Sequence, residues 1–235
     1  MVCAFSMAGH LHALAAEPME EVPELPWDAR GIILAVAILS ITLHEAGHAF
    51  MADRLGDSLP RRLGKVTLNP IAHIKTTPFM TLVLPVLTWV MYQGYWAFGG
   101  GACPVSPDWI YSRRKSFLVA AAGPAVNAAL LIFFTICFFL PFLADSKTVA
   151  FQLLFYLVVM EFFIMLFNLF PIPPMDGSYM LMAVFPSLLE PFLKAQRFGF
   201  MLVVFVGWPL FEYVGPPLLG GWMKLIVFMR ALVFG

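Results

Sequence analysis

The 235-residue sequence is short of charge. Only 12% of its residues are charged and 61% are hydrophobic, whereas soluble domains have about 25% charged and about 45–50% apolar residues. So few charged side chains cannot cover a water-facing surface, so lipid must be the solvent for much of the chain. An ordinary soluble protein is therefore excluded. The long apolar runs also leave no room for a separate soluble domain.

The sequence also lacks an excess of basic residues and any pairing of its cysteines. The 14 basic and 14 acidic residues cancel, and no basic patch indicates a nucleic-acid partner. The three cysteines are widely spaced, so they form no CxxC metal site and give no support for a disulfide framework.

The apolar runs predict an all-α polytopic membrane protein with about five to six transmembrane helices. We expect a loosely ordered or interfacial N-terminal segment at 1–30, a membrane core at 31–193, and C-terminal transmembrane helices of the same domain at 194–235. The expected spans lie at 31–55, 117–140, 149–170, 198–214 and 218–234.

Residues 79–101 are predicted to form a re-entrant hairpin. Basic residues gather at 54–75 and again at 113–115, and the positive-inside rule places both groups on the cytoplasmic side. A single crossing between them would put one group outside. Pro85, Gly94 and three consecutive glycines interrupt this segment, which favours a hairpin. The alternative is a sixth full span that breaks the charge rule.

The stretch ITLHEAGHAF at 41–50 places three ionisable side chains inside a hydrophobic run. His44 and His48 are one helical turn apart on one face, a spacing that lets two imidazoles bind one zinc ion. Glu45 beside them can reach a metal-bound water. The alternative is an inert polar cluster in a helix bundle, but ionisable groups are costly in membranes and indicate function there.

A catalytic zinc site needs a third protein ligand, for which Asp176 in NLFPIPPMDG is the strongest candidate. The three prolines should break the helix and place Asp176 beside the break. The alternative is that Asp176 caps the next helix. Glu161 is the weaker candidate, because it lies inside a helical span with no break beside it.

Three further polar residues have two interpretations each. Asn127 in AGPAVN either binds substrate or the transition state, or holds helices together. Asn168, just before the proline-rich break, either holds substrate or satisfies freed backbone groups. His73 in NPIAHI is interpreted as a structural or supporting residue.

The segments HEAGH, LNPIAHI, AAGPAVN and NLFPIPPMDG occur in the order found in the site-2 protease family, intramembrane zinc metalloproteases that the chain resembles over about residues 31–190. It is most similar to the compact bacterial branch that lacks PDZ and CBS domains. The resemblance implies one zinc ion per chain, held by His44, His48 and Asp176, with Glu45 as general base. Met175 and Ser178 replace the family's usual Leu and second Gly around the retained aspartate.

The resemblance further implies hydrolysis of peptide bonds in or near transmembrane segments, in regulated intramembrane proteolysis. The implied substrates are single-span membrane proteins such as anti-sigma factors or remnant signal peptides. The implied location is the bacterial inner membrane, with the active site toward the cytoplasm. The alternatives are a membrane metal transporter or metal-binding channel, and an inactive protease-like scaffold. An extended substrate strand would pair with the glycine-rich residues 98–102.

Overall fold

The computed structural model describes residues 24–106, 112–143 and 148–234, and across these ranges all regular structure is helical. Most of the expected N-terminal segment, residues 1–23, lies outside the described residues. The first helix, α1, begins at Trp27, directly after Pro26, and runs to Arg54. The α-helices that follow are α2 (Leu59–Arg62), α3 (Pro70–Thr76), α4 (Leu84–Met91), α5 (Arg113–Cys137), α6 (Val149–Asn168), α7 (Asp176–Val184), α8 (Leu189–Ala195), α9 (Gly199–Leu202) and α10 (Trp208–Phe234).

Within the described ranges, four helical segments are long and apolar enough to cross a membrane, at 27–54, 113–137, 149–168 and 203–233. The chain is therefore an all-α polytopic integral membrane protein, as predicted. The two spans expected at 198–214 and 218–234 form one continuous helical segment instead. Pro216 and Pro217 lie inside α10 without ending it. Transmembrane helices tolerate proline where neighbouring groups satisfy the backbone carbonyls that proline leaves without a donor.

Helices α1, α5 and α6 pack together and form the core of the membrane domain. One buried cluster joins α1 to α6 through Ile33, Ala37 and Met160. A second joins α5 and α6 to α10 and is dominated by aromatic rings, among them Phe163 and Phe211, whose centroids are 4.9 Å apart. The three central helices therefore share one interior, while the outer face of α10 is exposed and apolar.

Residues 79–101 form the predicted hairpin. The chain enters through a π-helical turn at Phe79–Val83 and α4, turns at Gln93 and Gly94, both with positive φ, and returns in extended form. The Gly100 amide donates to the Met80 carbonyl (3.0 Å), which places the two ends of the segment side by side. A single crossing is therefore wrong for this segment.

Arg30 fixes the tip of the hairpin against the start of α1. Its buried guanidinium donates to the carbonyl of Leu25 (2.6 Å), the carbonyl of Gln93 (3.0 Å) and the hydroxyl of Tyr95 (2.8 Å). Hydrogen bonds to a charged group are stronger than those between neutral groups. The bonds of Arg30 therefore hold the returning segment of the hairpin alongside the half of α1 that precedes the histidines.

Candidate metal centre

The two histidines of HEAGH lie side by side on α1. Both are buried, and the Nε2 atoms of His44 and His48 are 3.0 Å apart. The helical period dictates this pairing, because side chains at i and i+4 lie one above the other. The sequence therefore positions two ligand atoms without help from the rest of the fold.

Asp176 joins them from the break that follows α6. It is the first residue of α7, and its Oδ2 lies 3.1 Å from Nε2 of His44 and 3.4 Å from Nε2 of His48. The structure thus brings the three predicted ligands together, within 4.8 Å of one another.

The hydrogen bonds of the Nδ1 atoms determine whether the Nε2 atoms present lone pairs to the centre. His48 Nδ1 is 2.7 Å from the carbonyl oxygen of Val119, and His44 Nδ1 is 2.6 Å from Oδ1 of Asn127. Both partners are acceptors, so each Nδ1 carries the proton and each neutral ring presents an Nε2 lone pair. Asp176 Oδ2, also an acceptor, is buried and has no hydrogen-bond partner. Three acceptors facing one point are what a cation requires.

The spacing fits zinc. Zinc in tetrahedral coordination binds nitrogen and oxygen ligands at about 2.0–2.2 Å, which separates the ligand atoms by about 3.3–3.5 Å. The separations of 3.0, 3.1 and 3.4 Å are close to this value. Two histidines and a carboxylate also leave the fourth position open, as catalytic zinc sites do.

Gly123 of α5 lies against the ligand atoms. A Cβ at this position would be 2.6 Å from Nε2 of His44 and closer still to Nε2 of His48. Only glycine lets the α5 backbone approach this closely, so the AAGPAVN segment contributes space to the centre.

Glu45 is buried beside the histidines, under the returning segment of the hairpin. Its Oε2 has no hydrogen-bond partner. A Cβ at Gly101 would be 2.7 Å from Glu45 Oε1, so the extended segment passes directly over this carboxylate. The end of that segment is held by Asp57, whose two carboxylate oxygens accept hydrogen bonds from the amide and the hydroxyl of Ser106, each 2.7 Å long.

Lys65 is the residue near the site that the sequence did not single out. Its side chain is only 2% exposed and its Nζ has no hydrogen-bond partner. Burial lowers the pKa of Lys65, against the opposing effect of the nearby Glu45 carboxylate. Cys103 also lies near Lys65. Burial, reinforced by the Glu45 carboxylate, raises the pKa of the Cys103 thiol to about 12.

Asn127 lies where α5 meets α1 and α6. It is fully buried, its oxygen accepts from His44, and its NH₂ donates to Ser40 (2.9 Å) and Glu161 (3.0 Å). These contacts join α5 to α1 and α6, which fits the helix-holding interpretation, and they also support the His44 ring. The substrate or transition-state role of Asn127 stays a prediction.

The remaining polar residues keep their sequence interpretations. Asn168 is half-buried and donates to the Ile164 carbonyl of its own helix (3.0 Å), and its substrate role stays a prediction. His73 is buried and bonds the Thr67 carbonyl (3.0 Å), which fits a structural role. Glu161, set aside as a ligand, does not belong to the His–His–Asp group; it contacts Asn127 instead.

Comparison with known proteins finds bacterial relatives over most of the chain. It is 30% identical over 217 residues to a Bacillus subtilis protein named "Putative zinc metalloprotease YwhC", covering 86% of this chain and 92% of that protein. Two proteins named "Putative zinc metalloprotease Rip2" also match: that of Mycolicibacterium smegmatis (35% over 177 residues, 74% of this chain) and that of Mycobacterium tuberculosis H37Rv (31% over 212 residues, 84% of this chain and 71% of that protein). The match spans 65% of the M. smegmatis protein's length. No family model and no solved structure matches.

Proposed function

This chain belongs to the site-2 protease family of zinc metalloproteases, and on that premise we propose that it is an intramembrane zinc metalloendopeptidase. The proposed reaction is hydrolysis of peptide bonds in or near the transmembrane segments of membrane proteins. The observation that carries the proposal is the convergence of His44, His48 and Asp176 with the unpartnered carboxylate of Glu45 beside them.

A zinc ion held by the three side chains would supply a positive charge that polarises the scissile carbonyl and lowers the pKa of a water molecule to about 7. Glu45 is then the proton carrier. Its free Oε2 accepts a proton from the attacking water and delivers it to the nitrogen of the scissile bond. The carbon–nitrogen bond breaks, and the products are a new carboxylate and a new amine.

Substrate must reach Glu45 past the hairpin. The extended residues 98–102 lie over this carboxylate, and we propose that they offer backbone groups to an unwound substrate strand. An intact substrate helix hides its carbonyls in its own hydrogen bonds, so local unwinding is part of the reaction. Asn168, at the end of α6, is the proposed substrate contact on the other side.

The proposed substrates are single-span membrane proteins, with membrane-anchored anti-sigma factors and remnant signal peptides as the leading classes. The proposed location is the bacterial inner membrane, with the centre toward the cytoplasm. The basic residues of the 54–75 segment support that orientation, because they directly follow the half of α1 that carries the histidines.

A metal transporter explains the site less well. It would need no general base, yet Glu45 lies beside the ligands with a free oxygen, and the relatives carry metalloprotease names. An inactive scaffold would have no reason to keep all three ligands and Glu45 together.

The decisive experiment compares wild type with Glu45→Gln on a panel of single-span substrates in detergent, with and without a zinc chelator. We expect wild type to cut, and both the chelator and the substitution to stop the cutting. Glu45→Gln should still hold about one zinc per chain, because the ligands are untouched. Loss of one catalytic acid–base group should cost about 10²–10⁴-fold in rate.

The matched control is Glu190→Gln, which makes the same chemical change at an exposed side chain of α8. It should cut at the wild-type rate. Unchanged cleavage by Glu45→Gln would exclude Glu45 as the base, and zinc binding without any cleavage across the panel would favour transport or a structural metal.

A further inference from the structure

The two predicted metal-binding histidines are oriented by different kinds of hydrogen-bond partner. His48 Nδ1 faces a backbone carbonyl, that of Val119, which can only accept a hydrogen bond. His44 Nδ1 faces the side-chain amide of Asn127, which accepts through its oxygen but donates through its nitrogen if it rotates by 180°. A rotated amide would place the proton of His44 on Nε2, where it would block a metal. Something must therefore fix the amide.

Glu161 is placed to do so. Its Oε2 accepts two hydrogen bonds, from the Ser40 hydroxyl (3.0 Å) and from the Asn127 NH₂ (3.0 Å). The Asn127 NH₂ also donates to the Ser40 oxygen (2.9 Å). The Ser40 hydroxyl and the Asn127 NH₂ thus both donate to Oε2 of Glu161, while its Oε1 has no hydrogen-bond partner. A rotated amide would set its oxygen against that carboxylate, and two acceptors about 3 Å apart repel each other.

The position of this cluster raises its importance. Glu161, Asn127 and Ser40 are each at most 1% exposed and come from α6, α5 and α1, the three central helices. Because all three side chains are buried, their orientations are set by the protein groups around them. A buried acid inside a membrane helix is costly and calls for a role, and Glu161 does not belong to the His–His–Asp group.

We propose that Glu161 is a positioning residue for the metal centre. It holds the Asn127 amide with its oxygen toward His44, which keeps the His44 proton on Nδ1 and leaves Nε2 free to bind zinc. The inference rests on the metal site of the proposed function, but it concerns affinity for the metal and not peptide hydrolysis.

The test is the zinc dissociation constant of the purified full chain in detergent, measured with zinc alone against a chromophoric chelator. Glu161→Gln keeps the size of the side chain but can donate as well as accept, so the amide of Asn127 is no longer fixed. We expect zinc binding to weaken about 10- to 100-fold, the usual cost of losing a residue that orients a ligand. The matched control is Glu190→Gln, which makes the same chemical change at an exposed side chain of α8 and should stay within about threefold of wild type.

Excess zinc provides a second readout, which a merely structural role would not move. If Glu161 acts through affinity, high zinc should restore cleavage by Glu161→Gln. Should Glu161→Gln not fold, Glu161→Met decides, because replacing a buried charge with an apolar chain is often tolerated, and the same weakening is expected. Zinc affinity within about threefold of wild type in a folded Glu161 variant would overturn the proposal. Absence of cleavage in wild type would refute only the proposed function, since zinc affinity is measured without substrate.

Discussion

Replacing Gly123 by alanine should remove the metal from an otherwise folded protein. The added methyl group would lie 2.6 Å from Nε2 of His44 and closer to Nε2 of His48. A carbon atom and its neighbour normally stay about 3.5 Å apart, so the overlap is almost 1 Å. The methyl group must either push an imidazole aside or fill the space that a metal needs.

The surroundings do not let α5 retreat to relieve this overlap. The same helix carries Val119 and Asn127, which hold the Nδ1 atoms of the two histidines, so moving α5 away would also release both rings. Overpacking of this kind costs about 1–3 kcal/mol, which the rings can avoid only by moving. Metal–ligand distances tolerate only about ±0.2 Å. We therefore expect zinc affinity to fall at least 100-fold, or about 2.8 kcal/mol at 1.4 kcal/mol per factor of ten.

The assay is zinc content per chain and zinc affinity of the purified variant, with circular dichroism to confirm that it stays helical. Gly31→Ala is the matched control, because a Cβ there meets nothing within 4 Å. It should keep full zinc and gain up to about 1 kcal/mol in stability, since alanine favours helix over glycine. The reasoning is refuted if Gly123→Ala holds one zinc per chain with affinity within about threefold of wild type.

Two further predictions concern the groups around Glu45. Burial would raise the pKa of Asp57, but hydrogen bonds from Ser106 outweigh burial and lower the pKa, so its stabilisation is full above about pH 4 and is lost as pH falls through the folded-state pKa. The protection of residues 98–106 against hydrogen exchange, relative to the intrinsic rate at each pH, should therefore fall in acid, and at pH 7 in Asp57→Asn; equal protection in variant and wild type at pH 7 would contradict this. Lys65→Met removes the positive charge near the Glu45 carboxylate and should lower the cleavage rate about tenfold or more at unchanged zinc content, with Lys65→Arg retaining more activity; equal rates for the two variants would count against a role for the charge.

The ligands could be predicted from the sequence because local rules place them. The helical period alone puts His44 and His48 on one face, and a run of prolines after an apolar span must break the helix just before Asp176. The hairpin was predicted from the proline and glycines inside the segment together with the two basic groups, at 54–75 and 113–115, that flank it. These inferences needed only the order of residues along the chain, and the structure agrees with each.

The supporting residues could not be predicted, because they depend on how helices are rotated against one another. Helices α5 and α6 are apolar around almost their whole circumference, so no polar stripe shows which face meets α1. The contact of Asn127 with Glu161 is set by that rotation. The burial of Lys65 could not be predicted for a related reason: a lysine in a polar loop is normally solvated, whereas here tertiary packing leaves the side chain 2% exposed.

The metal centre combines polar groups that have protein partners with polar groups that have none. The rings of His44 and His48 are bonded on their outer nitrogens and left bare on the inner ones, and Glu45 and Asp176 each keep a buried oxygen without a protein partner. Such half-satisfied groups cost stability in a medium of low dielectric constant. A cation would satisfy the ring nitrogens and the Asp176 oxygen, and a water molecule would donate to the Glu45 oxygen. The orientation of these groups has to be set by buried partners such as Asn127 and Glu161, because lipid offers none.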